Sequence, residues 1–263
     1  MRFSMLALLL AAACIGGAAS PAQRTALYAR SFGSTPARKV QTLIIVLHGD
    51  APFAKPGYHY AFAAAAAAAV PDSIAIGLLR PGYEDPAGHR SPGERGLATG
   101  DNYTPDRIAA VADAIRRLQR RYRHARTILV GHSGGAAIAA DIAGTYPALI
   151  DGLVLVSCPC ELPEWRAHMK TLAPTPLWDQ PVDSLDPIKL VGGIAPGLKT
   201  AVLVGGEDAT APLRFSRAYS EALTLRGIST DYRIVPGKNH ELLGDPEVLS
   251  AVQRIAATLP RKR

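Results

Sequence analysis

The stretch TILVGHSGGAAIAA, at residues 127–140, carries the most informative structural pattern of this sequence. Its first part is apolar and β-branched, which is typical of a strand buried on both faces of a sheet. Its last part consists of small residues, mostly alanine, which favour a helix. Because a histidine, a serine and two glycines separate the two parts, the chain has to turn sharply between them. The pattern predicts a strand, a tight turn and a helix, with the hydroxyl of Ser133 at the turn.

The segments on both sides of this stretch alternate in the same manner. Apolar runs predict strands at five further places: 40–49, 73–82, 150–158, 198–208 and 228–237. Alanine-rich or amphipathic runs predict four further helices: 58–70, 104–122, 211–227 and 246–259. Strands that alternate with helices form a mostly parallel sheet, because each crossover returns the chain in the same direction. We therefore expect an α/β fold with a doubly wound sheet and helices on both faces.

The turn itself, GHSGG at 131–135, fits the Gly-x-Ser-x-Gly pattern, in which a strained strand-to-helix turn raises a serine above the sheet. A glycine-rich turn with an incidental serine is the alternative, but the strand before it and the small-residue helix after it favour a nucleophile. A serine hydroxyl is a poor nucleophile unless a base accepts its proton. The pattern therefore calls for a base and an acid at the same edge of the sheet.

Two residues at later strand ends meet that need. His240 follows the last predicted strand, in VPGKNHELL, and Asp208 closes the strand before it, in AVLVGGEDATAP. The chain order Ser133, Asp208, His240 is that of a nucleophile–acid–base triad on an α/β sheet. Other carboxylates remain alternatives for the acid: Glu207, Asp231 and Asp245.

On these residues the chain resembles the α/β-hydrolase fold enzymes, from about residue 36 to its end. The matching motifs are LHGD at 47–50, GHSGG, GGEDATAP at 205–212 and GKNH at 237–240. The resemblance implies an eight-stranded sheet plan, here trimmed, because only 24–32 is available for the first two strands. Residues 159–196 are rich in proline and lack clear periodicity, which predicts a small cap inserted after the sixth strand of that plan.

The resemblance also implies an oxyanion hole. Its donors would be the backbone N–H of Gly134 and that of Asp50, with Ala51 as the alternative to Asp50. A carboxylate at this place is unusual, because its charge opposes the oxyanion that the hole has to stabilise. The Asp50 side chain is therefore expected to point away, to bind a cation or to bind a substrate amine.

Together these residues predict a serine hydrolase that cleaves a carboxylic ester through an acyl-enzyme on Ser133. A peptidase or amidase of the same fold is the first alternative, since Asp50, Glu84 and Asp101 would suit a basic group of an aminopeptidase substrate. A non-catalytic, hydrolase-like protein of the cell envelope is the second. We expect a small-molecule ester or a short peptide as substrate.

The predicted cap contributes Trp165 and Met169 as candidate substrate-binding residues, unless they only pack its own core. Acyl transfer needs no metal ion and no cofactor. His48 and Asp50 are separated by one residue and are both potential metal ligands, but two ligands are too few for a metal site. His48 is instead expected to brace its loop.

Residues 1–20 have the layout of a secretory signal peptide: Arg2, an apolar run and small residues before a cleavage site. The run is shorter than the ~20 residues that span a bilayer, and a lipoprotein signal with Cys14 lipidated is a further alternative. We expect an exported protein, periplasmic or secreted, with one hydrolase domain over 24–263. No integral membrane segment is expected in the mature chain.

The net charge is +7, and part of it lies in the basic stretch 116–126. This stretch ends a predicted helix, where cations favour the negative end of the helix dipole. It carries no interleaved aromatic residues of a nucleic-acid module, so no nucleic-acid partner is expected. An oxidising compartment leaves Cys158 and Cys160 either as a disulfide or as two thiols.

Overall fold

The computed structural model describes residues 26–262, and the predicted signal peptide with Cys14 lies outside this range. Within it, the strands are β1 (Ala29–Phe32), β2 (Thr42–Leu47), β3 (Ser73–Leu78), β4 (Arg126–His132), β5 (Gly152–Val156), β6 (Lys199–Gly205) and β7 (Thr230–Val235). The helices are α1 (Tyr58–Ala69), α2 (Pro105–Arg121), α3 (Gly134–Thr145), α4 (Leu162–Leu172), α5 (Pro187–Leu190), α6 (Leu213–Leu225) and α7 (Pro246–Thr258). Three short 3₁₀ turns are Ala37–Lys39, Pro176–Asp179 and Val191–Gly193.

The strands form one sheet in the order β1-β3-β2-β4-β5-β6-β7. β1 runs antiparallel to β3, and every other pair of neighbours is parallel. Every residue of β2, β3 and β5 is buried, because helices cover both faces. Side chains of α1 and α7 build the core on one face, and those of α2, α3 and α6 build it on the other. The predicted α/β fold with a mostly parallel, doubly wound sheet is confirmed.

The sheet differs from the eight-stranded plan at its start. In the described range one strand, β1, precedes β2, and it is a short and largely exposed edge strand. The cap therefore follows β5, the fifth strand present, which takes the place of the sixth strand of the plan. The four residues of β1 pair antiparallel with β3 and form this edge of the sheet.

Helix α2 shows how local sequence sets the ends of these elements. Pro105 opens it, where a missing N–H costs nothing. Thr104 stands at the N-cap, as expected, but its hydroxyl donates to Asp106 Oδ1 at 2.5 Å rather than capping a backbone N–H. Arg120 and Arg121 in the last turn complement the helix dipole, so the basic stretch is accounted for by the helix itself.

The parallel strands bring the functional candidates to one edge of the sheet. β2, β4, β5, β6 and β7 all point the same way, so the residues that follow their carboxyl ends are neighbours. These residues are Asp50, Ser133, Ser157, Asp208 and His240. In open α/β sheets this edge is where ligands bind.

The cap begins with a disulfide between Cys158 and Cys160, directly after β5. Of the two alternatives, the structure therefore has the bridge rather than two thiols, and both cysteines are fully buried. The cap continues through α4 and α5 and packs back on α3 through α5. No helix among residues 26–262 is both long enough and apolar enough to cross a membrane.

A buried carboxyl behind the sheet predicts a dependence of stability on pH. Asp141 lies on α3 with its side chain fully buried, and burial, with a smaller contribution from Asp186, raises its pKa well above the usual value. The phenol of Tyr219 faces the same region, and its pKa is raised by burial and by Asp141. The folded protein therefore holds a proton that the unfolded chain loses above about pH 4, so Asp141 destabilises the fold increasingly as pH rises.

We expect Asp141→Asn, which cannot ionise, to gain stability relative to the parent protein between pH 4 and pH 8. The gain should be about 1.4 kcal/mol for each unit by which the folded pKa exceeds the unfolded one. Urea unfolding at pH 4 and at pH 8 measures this gain in unfolding free energy. Asp183→Asn, a change at an exposed position, is the matched control. An equal change in unfolding free energy at both pH values would contradict the assignment.

Candidate active site

Ser133 stands at a strained turn between β4 and α3. Its backbone has φ 52° and ψ −123°, a conformation that residues other than glycine adopt rarely. A Cβ atom built on Gly131 would lie 2.3 Å from the carbonyl oxygen of Gly135, and one built on Gly135 would lie 2.4 Å from that of His48. The two glycines are therefore required by close backbone approaches. Gly134 opens α3, so its N–H has no acceptor within the helix and faces the turn.

Asp208 and His240 form a hydrogen-bonded pair at the same edge of the sheet. Nδ1 of His240 lies 3.0 Å from each carboxylate oxygen of Asp208. The Asp208 side chain is completely buried, and its Oδ1 also accepts the backbone N–H groups of Thr210 and Ala211 at 3.0 and 2.7 Å. An ionised carboxylate only accepts hydrogen bonds, so His240 carries its proton on Nδ1 and leaves Nε2 free to accept another.

The pKa of Asp208 follows from these contacts. Burial opposes ionisation and would raise the pKa, but the hydrogen bond from His240, the electrostatic attraction of its ring and the hydrogen bond from the N–H of Ala211 outweigh it. The net result is a pKa below the usual value of an aspartate, so Asp208 stays negative at neutral pH. A negative partner favours a positively charged imidazole, which is the species formed when His240 takes a proton.

The rival acids are engaged elsewhere. Glu207 is exposed at the end of the same strand. Asp231 pairs with Arg233 and Arg254, and Asp245 caps α7 through the N–H of Glu247. Of the four carboxylates considered from the sequence, Asp208 is the one in contact with His240.

The Asp50 side chain binds a cation that comes from the chain itself. Its Oδ1 lies 2.8 Å from Nη1 of Arg80, and both side chains are almost completely buried. Its Oδ2 accepts hydrogen bonds from the hydroxyl of Tyr103 at 2.6 Å and from the N–H of Gly100 at 2.8 Å. Of the three predictions made for the Asp50 side chain, the structure therefore shows the binding of a cation.

Two tyrosine rings surround the buried guanidinium. The Arg80 carbon Cζ lies 5.2 Å from the ring centre of Tyr83 and 5.7 Å from that of Tyr103, distances typical of cation–π contacts. Burial alone would lower the pKa of Arg80, but Asp50 and the two phenols raise it above the usual value. The Asp50 charge is thus neutralised by a permanently positive partner.

This ion pair lies directly against the turn that bears the serine. A Cβ atom on Gly134 would lie 2.4 Å from Oδ1 of Asp50 and 2.5 Å from the hydroxyl oxygen of Tyr103. Glycine is therefore needed at 134 because Asp50 and Tyr103 pack against it, a requirement that the Gly-x-Ser-x-Gly pattern does not include. The N–H of Ala51 donates to the Tyr83 hydroxyl over a long 3.4 Å, which leaves Asp50 as the better candidate donor to an oxyanion.

His48 braces the loop between β2 and Asp50, as expected from the sequence. Its Nε2 accepts the N–H of Arg80 at 3.0 Å, so its Nδ1 carries the proton and donates to the carbonyl oxygen of Gly49 at 2.7 Å. No group of three or more potential metal-ligating residues occurs in the described part of the chain.

A chain of hydrogen bonds beside the serine was not predicted from the sequence. The N–H of Gly49 donates to the hydroxyl of Tyr58 at 2.6 Å, and that hydroxyl lies 2.7 Å from Nδ1 of His132. Nε2 of His132 lies 2.9 Å from the carbonyl oxygen of His240, and the two imidazole rings are 5.2 Å apart. The turn and the His240 loop are therefore direct neighbours. The histidine within GHSGG was the available signal.

Trp165 and Met169 pack on the large hydrophobic core that α2, α3 and α6 build on one face of the sheet. Trp165 is only 3% exposed, its indole N–H donates to the carbonyl oxygen of Thr210 at 2.8 Å, and its ring packs edge-on against Trp178. Met169 is half-buried against the same core. Both side chains therefore have packing partners, and a substrate-binding role for them stays a prediction.

Comparison with known proteins gives the family. The sequence model of the α/β hydrolase fold matches residues 42–258. No curated protein sequence matches the chain significantly. Among solved structures, the chain is similar to esterase PE8, with a TM-score of 0.63 and 17% identity over 89% of this chain and 100% of that one.

Two further structures share the fold. The Pyrococcus furiosus esterase PF2001 has a TM-score of 0.62 and 15% identity, over 83% of this chain and 81% of that one. A monoacylglycerol lipase of Paleococcus ferrophilus has a TM-score of 0.57 and 18% identity, over 88% of this chain and 98% of that one. At such identities the likeness concerns the fold alone. The match over residues 42–258 together with this sheet shows that the chain belongs to the α/β-hydrolase fold family.

Proposed function

We propose that the protein is a serine hydrolase that cleaves carboxylic esters through an acyl-enzyme formed on Ser133. The observation that carries the proposal is the Asp208–His240 pair at 3.0 Å, on a loop beside the strained turn that presents Ser133. A hydrogen-bonded imidazole with a buried carboxylate behind it is the arrangement that activates a serine hydroxyl.

The proposed reaction assigns one role to each group. Nε2 of His240 accepts the proton of Ser133 while the Ser133 oxygen attacks the ester carbonyl carbon. The N–H groups of Gly134 and Asp50 donate to the tetrahedral oxyanion, and Asp208 stabilises the imidazolium. His240 then protonates the leaving alcohol, and a water molecule releases the acid by the same steps.

The surroundings favour an ester over an aminopeptidase substrate. Asp50 is neutralised by Arg80, so it is not available for a substrate amine. Glu84 is paired with Lys55 and Arg90. Asp101 accepts the N–H of Ala98 at 2.8 Å within its own loop. Two of the three acidic residues that supported a peptidase in the sequence, Asp50 and Glu84, are thus paired with cations of the chain itself.

The loops that meet at Asp50 also carry exposed apolar side chains. Phe53, three residues after Asp50, is 90% exposed. Leu97, three residues before the Gly100 that donates to Asp50, is 78% exposed. Such side chains suit the apolar part of a small ester rather than a charged peptide terminus. The three solved structures of similar fold named above are two esterases and a monoacylglycerol lipase, which agrees with an ester substrate.

A matched substrate panel tests the proposal. We expect hydrolysis of nitrophenyl acetate, butyrate and octanoate, and turnover of leucine and arginine anilides at least about 100-fold slower. The Ser133→Ala variant is the control for uncatalysed and contaminating hydrolysis. Turnover of the anilides alone would replace the esterase by a peptidase, and turnover of neither class would favour a non-catalytic protein.

A further inference from the structure

Two residues outside the triad connect the oxyanion-hole loop to the base. Gly49 directly precedes Asp50, and its N–H donates to the hydroxyl of Tyr58 at the start of α1. The ring of His132, next to Ser133, spans from that hydroxyl to the main-chain carbonyl of His240. One continuous chain of hydrogen bonds therefore joins the loops after β2, β4 and β7.

The direction of each hydrogen bond follows from the atoms at its two ends. A carbonyl oxygen only accepts, so Nε2 of His132 carries a proton and donates to His240. Burial, and next the nearby His240, lower the pKa of His132 to about 4, so the ring has a single proton at neutral pH. Nδ1 of His132 is then an acceptor, and Tyr58 donates to it while accepting from Gly49. Each link uses one donor and one acceptor.

The carbonyl oxygen of His240 has a second donor. The hydroxyl of Ser157 donates to it at 3.1 Å, and Ser157 has a positive φ of 51° at the end of β5. The main chain of His240 is thus held from two strand ends. The side chain of His240 is held separately, by Asp208.

We propose that Tyr58 and His132 are positioning residues, which fix the main chain of His240 and the loop at Gly49 relative to Ser133. This inference rests on the proposed function, since it concerns how the base and an oxyanion donor are aligned with the nucleophile. A backbone shift of about 1 Å at either loop is expected to cost up to 100-fold in rate, because the reaction depends on near-contact distances. Neither residue touches the reacting atoms.

The test compares two tyrosines of the same helix. Tyr58→Phe removes the hydroxyl in the hydrogen-bond chain, and Tyr60→Phe removes one that donates to Asp85 at 3.1 Å, outside that chain. We expect Tyr58→Phe to lower kcat for a nitrophenyl ester about 10- to 100-fold with KM changed less than about threefold. Tyr60→Phe should leave kcat within about twofold, at a similar melting temperature.

A second pair of variants provides rescue and excludes simple misfolding. The amide of His132→Gln can still donate to the His240 carbonyl, whereas His132→Leu cannot, so the glutamine variant should keep at least about tenfold more activity. In the double variant Tyr58→Phe/His132→Leu, the loss in kcat should not exceed that of His132→Leu alone, because both changes break one chain.

The outcomes separate this inference from the proposed function. If the parent protein hydrolyses esters but Tyr58→Phe matches Tyr60→Phe in kcat, the positioning role is wrong and the hydrolase remains. A loss of kcat in proportion to lost folded protein, measured by circular dichroism, overturns it equally. If the parent protein turns over no ester and its Ser133 does not react with a fluorophosphonate, the hydrolase itself is wrong, and the inference with it.

Discussion

Ser133→Ala is expected to lower kcat for a hydrolysed ester by about 10⁶-fold, and His240→Ala by a similar factor. The hydroxyl is the atom that bonds to the acyl group, and without the imidazole it keeps its proton. Asp208→Asn should cost less, about 10⁴-fold, since it leaves the base present but alters the tautomer that the 3.0 Å contact selects. Steady-state kinetics on a nitrophenyl ester measure all three losses.

Non-additivity distinguishes a triad from three independent contributions. The double variant Ser133→Ala/His240→Ala should be no slower than either single variant, because each change alone disables the same step. Ser216→Ala is the matched control: it removes a fully buried serine hydroxyl on α6 that has no hydrogen-bond partner in the described part of the structure, and should keep kcat within about twofold. Near-parent kcat for Ser133→Ala, or losses that multiply in the double variant, would count against the triad.

Arg80→Met is expected to destabilise the fold by about 3–5 kcal/mol, the cost of leaving a buried charge without its partner. Methionine keeps much of the side-chain volume but removes the cation from Asp50, whose carboxylate is 5% exposed. Whatever protein remains folded should also lose kcat, because the Asp50 charge then opposes the oxyanion beside Gly134. Urea unfolding measures the first effect and ester kinetics the second.

Two controls isolate the buried ion pair. In Arg80→Met/Asp50→Asn the unpaired charge is gone, so most of the lost stability should return. Lys55→Met breaks an exposed pair with Glu84 and should change stability by no more than about 1 kcal/mol. A cost for Arg80→Met as small as that for Lys55→Met would show that the pair does not support this loop.

The sheet and most helices were predictable because their signals are local. Buried parallel strands read as continuous apolar runs, and helix ends such as Pro105 are marked in the sequence itself. The strained turn at Ser133 was predictable for the same reason, since close backbone approach leaves glycine as the residue that fits at 131 and 135. The pairing of Asp208 with His240 followed from strand ends at one edge.

Contacts that depend on strand order were not predictable in this way. Arg80 meets Asp50 because β2 and β3 are neighbours with Leu47 opposite Leu78, so the residues two or three positions further on come together. The sequence suggested a cation for Asp50, but strand order was needed to find it. The arginine two residues after the end of β3 was the available signal in the sequence.

The cap and the His132 contact were the least predictable parts. Residues 159–196 have no clear periodicity, so nothing in them indicates that Trp165 turns inward against Trp178 and Gly100. The orientation of His132 depends on Tyr58, 74 positions earlier in the chain. Both cases are decided by tertiary packing rather than by a local pattern.

Whether His240 and Asp208 activate Ser133 can be measured by mass spectrometry after treatment with a fluorophosphonate. We expect one adduct on the native protein, located on the peptide that contains Ser133. We expect no adduct on Ser133→Ala or on the urea-unfolded parent, and much slower labelling of His240→Ala. Native protein that forms no adduct, or an adduct that persists in Ser133→Ala, would contradict the activation of Ser133.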